Sequence, residues 1–227
     1  MTSQSGQLQL HLDFPRQDGD ARPLIRSGPY ATVLSALDGW RTWPDGQLAL
    51  IGPDGAGKTR LLRHWAASTG AAFVSGPELG RADMASIKDL AVRALAVDDA
   101  DRTGAGRPLM AALNLCRDRQ APILVSGESQ PRGWYAEPRD LVSRTQAMPV
   151  AAIGLPDDDT LHLRLMDACA RRHLNVPEKS IGYLVARMEP SWQAIERLAD
   201  AIETTRGRAE TLKFARDALA AAGMACD

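Results

Sequence analysis

The stretch Gly-Pro-Asp-Gly-Ala-Gly-Lys-Thr, residues 52–59, constrains the fold of this chain more than any other part of the sequence. It fits the pattern G-x-x-x-x-G-K-[ST], in which a glycine-rich backbone wraps around a phosphate group. The apolar run 48–51 before it has the length and composition of a buried parallel strand. A predicted helix follows, and its apolar face is formed by Leu61, Leu62, Trp65 and Ala66. This order predicts a phosphate-binding loop, because the turn and the helix dipole direct backbone N–H groups at an anion.

The alternative is a chance glycine-rich turn, which the flanking strand and helix disfavour. In a phosphate-binding loop, the Lys58 ammonium would reach the β- and γ-phosphates and the Thr59 hydroxyl would bind Mg²⁺. The sequence therefore predicts a site for a nucleoside triphosphate or diphosphate. Its predicted nucleotide-binding residues are Gly52, Pro53, Asp54, Gly55, Ala56, Gly57, Lys58, Thr59 and Arg60.

The composition indicates a soluble protein with no general attraction to polyanions. Of the 227 residues, 44% are hydrophobic and 24% are charged, which is ordinary for a globular protein, and the net charge is -1. The sequence has no apolar run of transmembrane length and no charged-then-apolar leader, and its three cysteines have neither zinc nor disulfide spacing. We therefore expect a cytoplasmic protein with reduced thiols, without membrane association and without strong direct DNA binding.

Strand and helix patterns alternate through the first two thirds of the chain. An amphipathic helix is predicted over residues 29–43, ahead of the strand at 48–51. Further strand patterns cover 71–75, 94–97, 122–126 and 148–153, and further helix patterns cover 109–119 and 138–145. This alternation predicts an α/β fold, a three-layer sandwich around a parallel sheet.

The predicted strand at 94–97 runs into two adjacent carboxylates, Asp98 and Asp99. Such a pair is common where a strand ends in an acidic turn. Its position roughly 40 residues after the glycine-rich loop favours a role as a second element of the nucleotide site. In that interpretation Asp98 holds Mg²⁺ through water, and Asp99 orients or polarises an attacking water molecule.

Beyond Pro156 the pattern becomes helical. The acidic residues 157–159 are predicted to cap a helix over 161–173, and helical patterns follow at 178–187, 191–205 and 209–222. The chain is therefore predicted to comprise a flexible N-terminal segment 1–22, a nucleotide-binding core 23–155 and a helical subdomain 156–227.

The N-terminal segment contains one strand-like stretch, residues 7–14, in which apolar and polar residues alternate. The pattern alone leaves two interpretations open. The stretch is either an edge strand of this chain, or an extended peptide whose alternate side chains fill the pockets of a partner.

A nucleotide-binding core followed by a helical subdomain resembles the AAA+ ATPases, and more narrowly the Hda/HdaA family of DnaA-related regulators. Residues 7–12 are similar to the family's peptide for the DNA polymerase sliding clamp. Residues 52–59 and 95–99 resemble its Walker A and Walker B motifs, and 139–144 its box VII helix. The resemblance spans essentially the whole chain. It implies clamp binding by Gln7, Leu8, Leu10 and Leu12, catalytic roles for Asp98 and Asp99, and an arginine finger at Arg144.

Two positions depart from the family pattern. In the sensor 1 region, where Ser126 is the predicted sensor residue, Ser129 stands where relatives often have arginine. In the sensor 2 motif of the helical subdomain, Gln193 stands where an arginine normally contacts the phosphates. A neutral amide cannot form a charge-assisted fork with phosphate. We therefore hypothesise weak intrinsic ATP hydrolysis, with ADP as the resident nucleotide.

The resemblance implies a regulator that binds the sliding clamp and promotes hydrolysis of DnaA-bound ATP, so that replication initiation does not repeat. One alternative is an AAA+ scaffold or DnaA-interacting adaptor without a role in hydrolysis. A second is a small P-loop phosphotransferase, which would need a substrate pocket with its own base and arginines. The sequence is also compatible with a homo-oligomer.

Overall fold

A computed structural model describes residues 24–26, 28–91, 93–104, 106–205, 209 and 211–224. These residues form two compact units. The first comprises Ser35–Gly52 and Gly57–Ala152. The second comprises Pro53–Ala56 together with the described residues between 24 and 34 and between 153 and 224. No helix in these ranges is long and apolar enough to cross a lipid bilayer. The predicted N-terminal segment 1–22 lies outside the described residues.

The first unit is built on a five-stranded parallel sheet. Its strands are β1 (Gln47–Ile51), β2 (Ala72–Ser75), β3 (Leu95–Asp98), β4 (Ile123–Gly127) and β5 (Val150–Ala152). They lie in the order β2-β3-β4-β1-β5. The register pairs Ile51 with Gly127 and Ser75 with Asp98. The strands therefore end at a common edge of the sheet, which is where parallel α/β sheets bind their ligands.

Helices cover both faces of this sheet. Helix α1 (Pro29–Asp38) precedes β1, and the helices of the first unit are α2 (Lys58–Thr69), α3 (Gly76–Arg81), α4 (Met84–Leu90), α5 (Gly106–Asp118) and α6 (Arg139–Ala147). Alternation along the strands places Val97 and Val125 in one core with Leu113 of α5. The intervening side chains point to the other face, where α2 packs against β3 and β4. The predicted three-layer α/β fold is confirmed.

Two parts of the first unit differ from the sequence-based expectation. The helix predicted over 29–43 ends at Asp38, and two 3₁₀ turns, Trp40–Thr42 and Pro44–Gly46, lead to β1. Helices α3 and α4 were not predicted. Side-chain caps start both of them: Ser75 and Glu78 form a capping box, and Asp83 accepts a hydrogen bond from the Ser86 N–H at 2.8 Å.

The C-terminal part of the second unit is helical, as predicted. It contains α7 (Asp158–Arg171), α8 (Glu178–Val185), α9 (Trp192–Thr204) and α10 (Leu212–Ala221). Helices α7 and α10 both pack against α8 and α9. The predicted acidic cap is confirmed, because Asp157 accepts a hydrogen bond from the Thr160 N–H at 2.8 Å. Hydrogen bonding to Thr160 also lowers the pKa of Asp157.

Candidate nucleotide-binding site

The glycine-rich stretch has the strand–turn–helix geometry that its sequence predicts. It follows β1 directly, and α2 begins at Lys58. Gly55 and Gly57 have φ angles of 79° and 85°, in the left-handed region that side chains with a Cβ rarely adopt. These glycines allow the tight turn by which the chain enters α2. The first N–H groups of a helix have no intrahelical acceptor, so the N-terminus of α2 is suited to an anion.

Lys58 is held at the base of the loop. Its side chain is 6% exposed, and its Nζ donates a hydrogen bond to the carbonyl oxygen of Gly52 at 2.9 Å. The Gly52 N–H in turn donates to the carbonyl oxygen of Gly127 at the end of β4, at 3.3 Å. The hydrogen bond to its own loop therefore holds the ammonium in place before a phosphate group arrives. This arrangement suits a phosphate-binding lysine.

The tip of the loop, Pro53–Ala56, is fixed by hydrogen bonds within the second unit. The Ala56 N–H donates to the Pro53 carbonyl at 3.2 Å, which closes the turn. The Tyr30 hydroxyl donates to the Ala56 carbonyl at 2.9 Å, and Nη2 of Arg164 donates to the Gly55 carbonyl at 3.1 Å. The exposed Asp54 accepts the Gly55 N–H at 3.0 Å. The sequence analysis identified neither Tyr30 nor Arg164.

The acidic pair lies at the end of β3 and is joined to β4 by a serine. Asp98 is buried, and its Oδ1 accepts a hydrogen bond from the Ser126 hydroxyl at 2.6 Å. The Asp99 N–H donates to the same Ser126 oxygen at 2.9 Å. Burial and the neighbouring Asp98 charge raise the pKa of Asp99, although Arg102 and Lys58 act in the opposite direction. Ser126 therefore fixes the orientation of both carboxylate residues.

An ion-pair group surrounds Asp99. Arg102 lies 3.6 Å from the Asp99 carboxylate and also pairs with Glu128, which follows β4. Asp101 accepts the backbone N–H of Glu128 at 3.0 Å. Arg102 and Glu128 were not predicted, because no motif marks them. Since Arg102 and Asp99 are both solvent-accessible, this contact is weak, and it partly occupies the carboxylate that would polarise water.

Oxygen donors are available for Mg²⁺ in the first unit. Thr59 is the second residue of α2, and Asp98 is the last residue of β3. A hydroxyl and a carboxylate are the hard ligands that Mg²⁺ accepts while it keeps several water molecules. The predicted ligands therefore fit this cation in their chemistry.

The backbone of the acidic pair also depends on Gly76. A Cβ placed at position 76 would overlap the carbonyl oxygen of Asp99. We expect Gly76→Ala to lower the free energy of unfolding by about 1–3 kcal/mol, because the overlap involves main-chain atoms that cannot rotate away. Urea unfolding measures this change. The matched control is Gly133→Ala, since a Cβ there meets nothing within 4 Å. Equal stability of the two variants would show that the Asp99 backbone shifts enough to accommodate the added Cβ.

The remaining predicted site residues lie in several environments. Thr59 is exposed and Arg60 is half-buried at the start of α2. Gln193 is exposed in the first turn of α9. Arg144 is half-buried near the end of α6. The proposed clamp-binding residues Gln7, Leu8, Leu10 and Leu12 lie outside the described residues.

Comparison with known proteins finds similarity in structure but not in sequence. No family model matches the chain, and no curated protein sequence matches it. Domain III of the Thermotoga maritima replication initiation protein DnaA superposes with a TM-score of 0.69 at 20% identity, over 86% of this chain and 93% of that one. AMPPCP-bound DnaA from Aquifex aeolicus gives 0.64 at 16% identity, over 84% and 66%. The Thermotoga maritima RuvB Holliday junction branch migration motor gives 0.57 at 16% identity, over 85% and 66%. The chain therefore has the same fold as DnaA domain III.

Proposed function

We propose that this chain is a nucleotide-binding regulator of replication initiation. The observation that carries the nucleotide part is the buried Lys58, hydrogen-bonded to Gly52 in a loop that enters α2. The same unit contains the Asp98–Ser126–Asp99 network at the end of β3. Binding of ATP or ADP with Mg²⁺ requires a phosphate-binding lysine and an oriented carboxylate. The first unit contains both.

In this proposal each residue has a defined task. The N-terminus of α2 and the Lys58 ammonium neutralise the β- and γ-phosphates. Thr59 and Asp98 would hold Mg²⁺, which supplies charge neutralisation of the phosphate oxygens when bound. Asp99 accepts a hydrogen bond from the nucleophilic water, and Ser126 keeps Asp98 and Asp99 in place. The contact of Arg102 with Asp99 partly occupies this carboxylate and would slow intrinsic hydrolysis.

The regulatory part of the proposal concerns a partner ATPase. The fold is that of DnaA domain III, and proteins of one fold can associate through equivalent surfaces. Arg144 would act in trans, as an arginine finger on the nucleotide of DnaA. Within the described residues, no hydrogen bond or ion pair holds its guanidinium, and Nη1 is buried without a partner. Turning this side chain toward a neighbour therefore breaks no internal hydrogen bond. The rival is an adaptor that binds DnaA without affecting hydrolysis.

The proposed tether to the sliding clamp is the N-terminal peptide. We expect Gln7→Ala, Leu10→Ala and Leu12→Ala together to weaken binding to the clamp at least tenfold, because these side chains would fill its pockets. The matched control replaces Gln9 and His11, which belong to the same peptide but are not among the proposed clamp-binding residues. Biosensor titration with the full chain measures both variants. Equal losses in the two variants would contradict the pocket model.

The complete proposal is tested by ATP hydrolysis. DnaA loaded with ATP is incubated with clamp-bearing DNA, with and without the chain, and phosphate release is followed. We expect the chain to accelerate hydrolysis by DnaA only when the clamp is present. Binding to DnaA without acceleration would favour the adaptor function. Phosphate transfer to a small metabolite would favour the phosphotransferase.

A further inference from the structure

Tyr135 lies between β4 and α6 and binds the turn that follows the acidic pair. Its hydroxyl donates a hydrogen bond to the carbonyl oxygen of Ala100. The same hydroxyl is hydrogen-bonded to the Thr103 side chain, and since its single proton goes to Ala100, the Thr103 hydroxyl is the donor. Ala100 and Thr103 are both buried, and they stand at the two ends of the short turn that begins directly after Asp99. One tyrosine hydroxyl therefore holds both ends of this turn.

The position of this turn determines the position of Asp99. The Arg102 N–H donates to the Asp99 carbonyl at 2.9 Å, so Asp99 and the turn are joined through the main chain as well as by their side-chain contact. The φ angle of Asp99 is 50°, in the left-handed region that a residue with a side chain adopts only where its surroundings hold it there. Displacing the turn would therefore displace the Asp99 carboxylate.

The ring of Tyr135 lies close to the residues that lead into α6. A Cβ placed at Gly106, the first residue of α5, would lie 3.2 Å from Cδ1 of the Tyr135 ring. It would also lie 2.6 Å from the carbonyl oxygen of Glu137 and 2.6 Å from Cδ2 of Leu141, so these groups pack around one point of the α5 backbone. Leu141 is fully buried in α6, the helix that also carries Arg144. Tyr135 therefore connects the turn after the acidic pair with the helix of the proposed arginine finger.

The hydroxyl of Tyr135 keeps its proton at neutral pH, because burial raises its pKa above the ordinary value. It therefore remains a donor to the Ala100 carbonyl, which can only accept. A buried tyrosine commonly satisfies its hydroxyl in this way, and that alone would be a structural role. What distinguishes Tyr135 is the place of its partners, directly after the carboxylates that are proposed to bind Mg²⁺ and the attacking water.

We propose that Tyr135 is a positioning residue that couples the acidic pair to helix α6. The inference rests on the proposed nucleotide site and adds a route by which the bound nucleotide affects the proposed arginine finger. Contacts of Asp98 and Asp99 with the nucleotide and its metal ion shift the turn that follows them. The two hydrogen bonds pass this shift to Tyr135, and the packing around Gly106 passes it to the start of α6. All of these residues belong to the first unit.

The test is Tyr135→Phe, which removes the hydroxyl and keeps the ring. Amide hydrogen exchange is measured by mass spectrometry with and without ADP and Mg²⁺, after removal of any co-purified nucleotide. In the wild type, we expect bound ADP to slow exchange in α6 as well as in α2, by about threefold or more. In Tyr135→Phe the slowing in α6 should disappear. The slowing in α2 and the affinity for ADP should stay unchanged, because both hydrogen bonds of the hydroxyl go to the turn rather than to the glycine-rich loop.

The control is Tyr183→Phe, which removes a hydroxyl of α8 in the second unit, where it accepts a hydrogen bond from Arg216 at 3.3 Å. It should keep the response of α6 to ADP. A purely structural role for Tyr135 predicts faster exchange in α6 of Tyr135→Phe, equally with and without ADP, so that the difference caused by ADP remains.

Three results would overturn the coupling and leave the nucleotide site intact. They are an undiminished α6 response in Tyr135→Phe, a loss of its α2 response together with its α6 response, and a wild-type chain in which ADP slows exchange in α2 but not in α6. A wild-type chain that neither binds ADP nor changes its exchange in α2 would overturn the proposed nucleotide site, and the coupling with it.

Discussion

Replacing Lys58 by alanine should abolish nucleotide binding, with a loss of at least about a hundredfold in affinity for ADP and ATP. The ammonium is buried and bonded to the backbone of its own loop, so it is already in place when the phosphates arrive. A preorganised charge loses little conformational entropy on binding. Isothermal titration calorimetry with each nucleotide, in the presence of Mg²⁺, measures the loss.

The control for this variant is Lys179→Ala, which removes an exposed lysine of α8 and the same net charge. It should bind nucleotide as the wild type does. The nucleotide-free unfolding midpoint of Lys58→Ala should remain close to that of the wild type, because the hydrogen bond from Lys58 to the Gly52 carbonyl contributes only modestly to stability. Wild-type affinity in Lys58→Ala would mean that the glycine-rich loop is not the phosphate site.

The parts of the fold that the sequence predicts are those with local patterns. The run 48–51 and the glycines after it are contiguous, and so β1, the loop and α2 follow from neighbouring residues. The strands before Asp98 and after Pro122 are short and wholly buried, which makes them recognisable as apolar runs. Helices α3 and α4 escaped prediction because they have only six and seven residues. At that length a helix shows less than two full turns of periodicity.

The candidate site likewise contains some residues that local sequence patterns predict and others that they do not. Lys58 and Asp98 lie in or directly after patterns that can be read from the sequence. Tyr30 and Arg164 reach the loop from 26 and 109 residues away, and each is an ordinary residue in an amphipathic helix. Their contacts depend on tertiary packing, which no spacing within the helix encodes. Ser126 was predicted as a sensor, and in the structure it bridges Asp98 and Asp99 across neighbouring strands.

Arg144→Ala should remove the stimulation of DnaA by this chain. Arginine fingers that act in trans accelerate phosphoryl transfer by about 10³–10⁵, so loss of the guanidinium should return DnaA to its unstimulated rate. The side chain makes no internal hydrogen bond or ion pair within the described residues. The variant should therefore keep its own stability and its own nucleotide affinity. Single-turnover hydrolysis of labelled ATP on DnaA, with loaded clamp, measures the effect.

Arg139→Ala is the control that separates catalysis from docking. Arg139 is exposed in the first turn of the same helix and would contribute charge to a contact with DnaA without reaching the γ-phosphate. Its loss should weaken binding to DnaA by less than about tenfold, as for an exposed charge, and leave the rate at saturation unchanged. Arg144→Ala should show the reverse, with a lower rate at saturation and nearly unchanged binding, because a finger stabilises the transition state more than the complex. Stimulation that survives Arg144→Ala but is lost in Arg139→Ala would transfer the catalytic role to the exposed arginine.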